Sequence, residues 1–149
     1  MSVGRHIDAP SSVVYRALTD GEAVSHWRAP DGMTATVHTF DPRVGGEFRI
    51  SLRYDDEASV GKTGGNVDTY HGYFRELIPD RRVVEVIEFE TTDPELKSEM
   101  TVTTSLEDVG GQTEVLIIFD GVPDGVSPED NAIGTAMSLS NLARLVELH

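Results

Sequence analysis

The sequence predicts an α+β fold in which one antiparallel sheet packs against a long C-terminal helix. Three observations predict it. Side-chain polarity alternates with period two from Thr34 to Asp120, two short helical stretches come before that region, and one long stretch with a broad apolar face follows it.

The elements follow in order. Residues 3–7 (VGRHI) form a short first strand. DAPSSVVYRALTD is then helical: Pro10 suits the first turn, Ser11 or Ser12 can cap, and Val14, Ala17 and Leu18 share one face. Gly21 breaks that helix, and EAVSHW makes a second one ending at Trp27. TATVHTF opens the strands and leads into the turn DPRVGG, where Arg43 pairs with Asp41 in preference to a substrate. In EFRISLRY, Phe48, Ile50, Leu52 and Tyr54 point inward while Glu47, Arg49, Ser51 and Arg53 point out. VDTYHGYFREL, the turn IPDRR, VVEVIEFE and the polar loop TTDPELKSE come next. MTVTTSLE and TEVLIIFD are joined by the hairpin turn DVGGQ. In SPEDNAIGTAMSLSNLARLVEL, Ser127 is the N-cap, Pro128 takes the first helical position, and Glu129 and Asp130 complement the helix dipole. Its apolar face comprises Ile133, Ala136, Met137, Leu139, Ser140, Leu142, Leu145 and Val146.

A length of 149 residues predicts one domain over residues 1–149. No apolar run approaches the ~20 residues of a membrane helix, and the N-terminus lacks a secretory apolar segment. Cysteine is absent, which excludes disulfides and thiol catalysis. A cytoplasmic protein is the expectation. Twelve Lys and Arg against 26 Asp and Glu give a net charge of −14, which repels phosphate backbones and anionic lipid. Nucleic acid and membrane insertion are therefore not expected.

The stretch DEASVGKTGG (56–65) resembles the end of a phosphate-binding loop. Such a loop needs a glycine five positions before Gly61, where Asp56 stands, flanked by Asp55 and Glu57. Strands on both sides replace the required strand and helix. Residues 55–66 are read instead as a long, glycine-rich hairpin loop near a pocket mouth, with Lys62 a lone lysine in its mobile rim. His6, His26, His38, His71 and His149 show no HxH or HExxH spacing, so neither a metal nor another cofactor is expected.

Several stretches together are similar to one known group: RHIDAPSSVVYRALTD, HWRAP, FDPRVGGEFRISL, HGYFRELIPDRRVVEVIEFE and GTAMSLSNLARLVE. They span nearly the whole chain. The sequence resembles the START-like (SRPBCC) superfamily, in the branch of heat-shock-protein ATPase activator homologues often grouped with polyketide cyclase-like proteins. The resemblance implies a helix-grip fold: a seven-stranded antiparallel sheet wrapped around the C-terminal helix, with a hydrophobic pocket between them. That branch often carries Gly-Trp early in the last helix. Here Gly134 is followed by Thr135, which leaves a roomier pocket unless Met137 and bulky strand residues compensate.

The residues expected to line the pocket are Trp27, Phe48, Ile50, Leu52, Tyr70, Phe74, Ile87, Phe89, Val102, Val115, Ile117, Phe119, Ile133 and Met137. Tyr70 either orients a polar group of the ligand or is a core aromatic with its hydroxyl near solvent. Glu85 lies between Val83 and Ile87 on the interior face. It is either a desolvated acid–base group with a raised pKa, or it escapes burial at a bulge or by pairing with an arginine. Three functions remain open: binding of a small apolar or aromatic molecule, a polyketide cyclase-like reaction using Glu85 or His71, and modulation of a chaperone ATPase. Sheet edges in such folds can also pair, which would give a homodimer.

Overall fold

The computed structural model describes residues 1–147 of the chain, so His149 lies outside the described residues. The chain runs β1 (Ser2–Ile7), α1 (Ser11–Leu18), α2 (Gly21–Trp27), β2 (Met33–Phe40), β3 (Glu47–Tyr54), β4 (Val67–Ile78), β5 (Arg82–Phe89), β6 (Met100–Val109), β7 (Gln112–Asp120) and α3 (Pro128–Val146). The strands form one seven-stranded sheet in the order β1-β7-β6-β5-β4-β3-β2, antiparallel throughout. Strands β2 to β7 pair as successive hairpins, and β1 closes onto the last of them, with Val3 opposite Ile117 and Arg5 opposite Val115. This is the helix-grip arrangement expected from the sequence.

The sheet curls, and α3 lies against its concave side. The backbone of α3 approaches α1, α2 and β1 and stands off the centre of the sheet. One end of the enclosed space is solid. Phe48 and Phe74 pack at 5.1 Å between ring centroids, and Phe40 meets Phe74 edge-on at 5.5 Å. Ile7, Val14, Val24, Leu139 and Leu142 complete that packing.

Three local expectations are corrected. Gly21 does not end the first helix; it opens the second, where Asp20 caps by accepting from the Glu22 amide at 3.0 Å. A β-carbon on Gly21 would lie 3.2 Å from the Phe40 side chain, leaving little room for a larger residue. Ser11 does not cap α1 either. It is buried, and its hydroxyl bonds that of Thr113 at 3.0 Å, fixing α1 to β7. Third, the buried face of α3 is Ser138, Leu139, Leu142, Ala143 and Val146, while Ala136 and Leu145 face solvent. Ser138 belongs to the buried face because its hydroxyl has internal carbonyl partners, which apolar periodicity does not register. The cap of α3 is as expected, Ser127 Oγ accepting from the Asp130 amide at 3.2 Å.

Gly72 stands where β4 meets β3 and β5, opposite Phe48 and Ile87. A β-carbon there would lie 2.0 Å from the Val86 carbonyl oxygen and 2.8 Å from the Phe48 ring. Gly72→Ala is therefore expected to destabilise the protein by about 1–3 kcal/mol, because neither backbone nor packed ring can yield freely. Urea unfolding measures this, and a variant as stable as the parent would show that the approach is not that close.

Candidate functional site

Because α3 stands off the middle strands, a cavity of about 510 Å³ remains between them. One wall is apolar: Met100 and Val102 on β6, Ile117 and Phe119 on β7, Val126 just before α3 and Ile133 in its first turns. Leu52, Ile87 and Phe89 continue it across β3 and β5. Gly134 and Thr135 also border it, so the position next to Gly134 is indeed on the cavity wall.

The opposite wall is polar, and its centre is Arg28. This residue follows the last turn of α2, and its backbone is held from two sides by α3. Ser138 Oγ donates to the Arg28 carbonyl at 2.7 Å, and Asn141 Nδ2 donates to the Ala29 carbonyl at 2.9 Å. The guanidinium is thereby turned inward under the Trp27 ring, whose centroid is 4.8 Å from its central carbon. Arg28 Nη1 donates to the Tyr70 hydroxyl at 3.0 Å, while Nη2 reaches Glu85 Oε2 at a long 3.5 Å. Arg28 Nε is buried without an acceptor, as is Asn131 Nδ2 on α3.

Glu85 is only 5 % exposed. Of the two escapes open to it, only the arginine pair is realised, because the bulge opposite it leaves it buried. It pairs with Arg28, while the neighbouring strand bulges beside it: Phe74 pairs with Glu85 and Glu76 with Val84, leaving Arg75 as the extra residue of β4. Desolvation acts to lower the Arg28 pKa, but Tyr70 and Glu85 outweigh it, and the guanidinium stays above its ordinary value and charged. Burial, with Glu85 adding, raises the Tyr70 phenol despite the opposing pull of Arg28, so the hydroxyl stays protonated.

A second ion pair lies one pleat away. Asp68 precedes Tyr70 by two residues on the same face of β4 and is 5 % exposed. Its carboxylate accepts from the Lys62 backbone amide at 2.6 Å and from Lys62 Nζ at 2.9 Å. Lys62 is thus not a free rim lysine; it turns into the cavity with Nζ 5.7 Å from the Phe89 ring centroid. Its loop is folded on itself: the Gly61 amide donates to the Gly65 carbonyl at 2.8 Å, and Asn66 Nδ2 donates to the Tyr54 carbonyl at 2.8 Å. Gly61 is required there, since a β-carbon would sit 2.1 Å from the Val67 carbonyl oxygen.

Of the residues expected at the pocket, Trp27, Leu52, Tyr70, Ile87, Phe89, Val102, Ile117, Phe119 and Ile133 border the cavity. Phe48, Ile50, Phe74 and Val115 do not; they are buried in the solid core. Alternation along a strand assigns a residue to the concave face but cannot say which end of that face is filled. Met137 is half-buried and off the cavity wall, so it does not compensate for Thr135. Trp27 is both core and wall, its indole Nε1 donating to the Ala17 carbonyl at 2.9 Å. His71 is on the other face of the sheet, exposed, with Nδ1 3.0 Å from Glu90. There Arg49 holds Glu90 through two 2.8 Å hydrogen bonds, which keep that carboxyl below its ordinary pKa. Arg43 pairs with Asp41 at 2.8 Å on the surface, as its turn implied. Among the described residues no cluster of His, Asp and Glu has the arrangement of a metal site. Sequence reading missed Arg28. The available signal was Glu85 itself, whose interior position demands a cation, and HWRAP supplies one at a helix end.

Comparison with known proteins is consistent with this architecture. Residues 8–147 match the family described as "Activator of Hsp90 ATPase homolog 1-like protein". A crystal structure of a Chromobacterium violaceum protein is 30 % identical, with a TM-score of 0.89 over 100 % of this chain and 97 % of that one. A solution structure of an AHSA1-like protein from Aeromonas hydrophila is 20 % identical, with a TM-score of 0.73 over 100 % of this chain and 96 % of the other. A protein from Arthrobacter aurescens shares 16 % identity at a TM-score of 0.81, covering 97 % of this chain and 84 % of its own. The last two likenesses concern the fold alone. No curated protein matches the sequence significantly. No helix among the described residues is long and apolar enough to cross a membrane.

Lys62→Met leaves Asp68 buried with only the backbone amide as partner. It is expected to cost about 1–3 kcal/mol in urea unfolding. Unchanged stability would show that water, not Lys62, satisfies the Asp68 carboxylate.

Proposed function

The chain belongs to the family of activator of Hsp90 ATPase homolog 1-like proteins, and on that premise we propose that it binds a small apolar or aromatic molecule between the sheet and α3. The observation that carries this reading is the cavity of about 510 Å³, mostly walled by apolar side chains and bordered by a few buried polar ones. Ligand sites commonly have about 300–1,000 Å³ and this same division of labour, with apolar walls supplying affinity and few polar groups supplying orientation. Tyr70, with its hydroxyl fixed by Arg28 and its phenol protonated, is suited to orientation.

The cyclase-like reading has less support. Glu85 is engaged with Arg28, and His71 stands on the opposite face of the sheet, away from any molecule held in the cavity.

The uncharged fluorophore N-phenylnaphthylamine tests the proposal. One molecule per chain is expected to bind with enhanced, blue-shifted emission. Thr135→Trp places an indole on the cavity wall beside Gly134 and is expected to weaken that binding by about tenfold or more while thermal stability is maintained. Absence of saturable binding to the parent protein, or equal binding by the variant, would reject the reading.

A further inference from the structure

The charges around the cavity are arranged in an unusual way. The wall carries Arg28 and Lys62 against Asp31, Asp68, Glu85 and Asp130. The four interior groups form two pairs, Arg28 with Glu85 and Lys62 with Asp68, so their charges cancel. The remaining two, Asp31 and Asp130, are exposed carboxylates at the edge of the cavity. A chain of net charge −14 adds to the negative field there. An anionic ligand entering this site would lose its hydration and meet no uncompensated cation, and Glu85 and Asp68 would stand beside it. A cation fares no better inside, since both buried carboxylates are already paired.

Hydrogen-bonding capacity is distributed differently from charge. A guanidinium has five N–H donors. Arg28 commits one contact to Tyr70 at 3.0 Å and one, at a long 3.5 Å, to Glu85. Nε is shut away from the cavity, but Nη1 and Nη2 each keep a second N–H on a residue that borders it, and the guanidinium charge polarises these even though Glu85 cancels the net charge.

Resting on the cavity reading above, we propose that the site selects an uncharged ligand bearing a carbonyl-type acceptor oxygen, which Arg28 receives beside the Tyr70 hydroxyl, with Glu85 present to cancel the guanidinium charge and so refuse carboxylates and sulfonates. Glu85 is then a specificity-determining residue and not an acid–base group. The remainder of the ligand, an aromatic or alicyclic skeleton, lies on the apolar wall of β6, β7 and α3.

Three naphthalene fluorophores of similar size separate the elements of this claim: N-phenylnaphthylamine, uncharged and without a carbonyl; the ketone Prodan; and the sulfonate anilinonaphthalene sulfonate. The parent protein is expected to bind the first two and to bind the sulfonate about tenfold or more weakly. Glu85→Gln uncovers the charge of Arg28 and is expected to raise sulfonate affinity by about tenfold relative to that for N-phenylnaphthylamine. The double variant Arg28→Met/Glu85→Met removes the pair without leaving a buried orphan charge. It should shift bound Prodan to shorter wavelength, as its ketone loses a hydrogen-bond donor. Sulfonate binding as tight as that of N-phenylnaphthylamine, no gain in Glu85→Gln, or unshifted Prodan emission in the double variant would each overturn the proposal. Failure of the parent protein to bind N-phenylnaphthylamine would instead remove the cavity reading, and this inference with it.

Discussion

The inward placement of Arg28 is the constraint on which the site depends. A guanidinium buried beside an apolar cavity is costly unless its charge and donors are met. Here the cost is met by three parts of the chain at once: Tyr70 on β4, Glu85 on β5, and the ring of Trp27 at the end of α2. The same residue is gripped through its backbone by Ser138, and Ala29 by Asn141, both on α3. One short segment therefore ties the small helices, the long helix and the centre of the sheet together. It also explains why polar side chains occur on the otherwise apolar inner faces of α3 and β5. Ser138, Asn141 and Glu85 are partners of this segment, and removing any one of them would leave a group of it unsatisfied.

The polar cluster and the cavity are connected by geometry. With α3 held near α1, α2 and β1, it cannot also settle onto the middle strands. The gap that results is filled by aromatic rings at the Phe48–Phe74 end and is open at the Arg28–Lys62 end. A buried ion pair contributes little net stability. A site that orients a ligand without attracting charged competitors is a use to which such a pair is suited, and charge cancellation within the cavity is what distinguishes it from a simple apolar pocket.

The fold was legible because period-two alternation, turn residues and the capped C-terminal helix all agree on one arrangement. EFRISLRY and VDTYHGYFREL alone assign Phe48, Ile50, Tyr70 and Phe74 to one face. Periodicity did not reveal how that face divides into solid core and open wall, because the division depends on where α3 is held, and α3 is held by Ser138 and Asn141, which an apolar count passes over. Charge pairs across long sequence separations were equally hidden. Glu85 demands a cation, but with Arg28 57 residues away the sequence does not say which of its arginines supplies it. Nothing within the loop shows that Lys62 is anchored, because its partner Asp68 lies on β4, six residues further on.

The central claim is that the cavity between sheet and α3 holds an uncharged, carbonyl-bearing molecule. Native mass spectrometry of the protein isolated from its own host, under conditions gentle enough to retain non-covalent ligands, tests this most directly. The account predicts one bound molecule per chain, which on release proves neutral at pH 7, carries a ketone, ester or comparable carbonyl group, and rebinds to the stripped protein. A bare polypeptide mass that persists after incubation with an organic extract of the host, or a retained carboxylate, phosphate or amine, would contradict it.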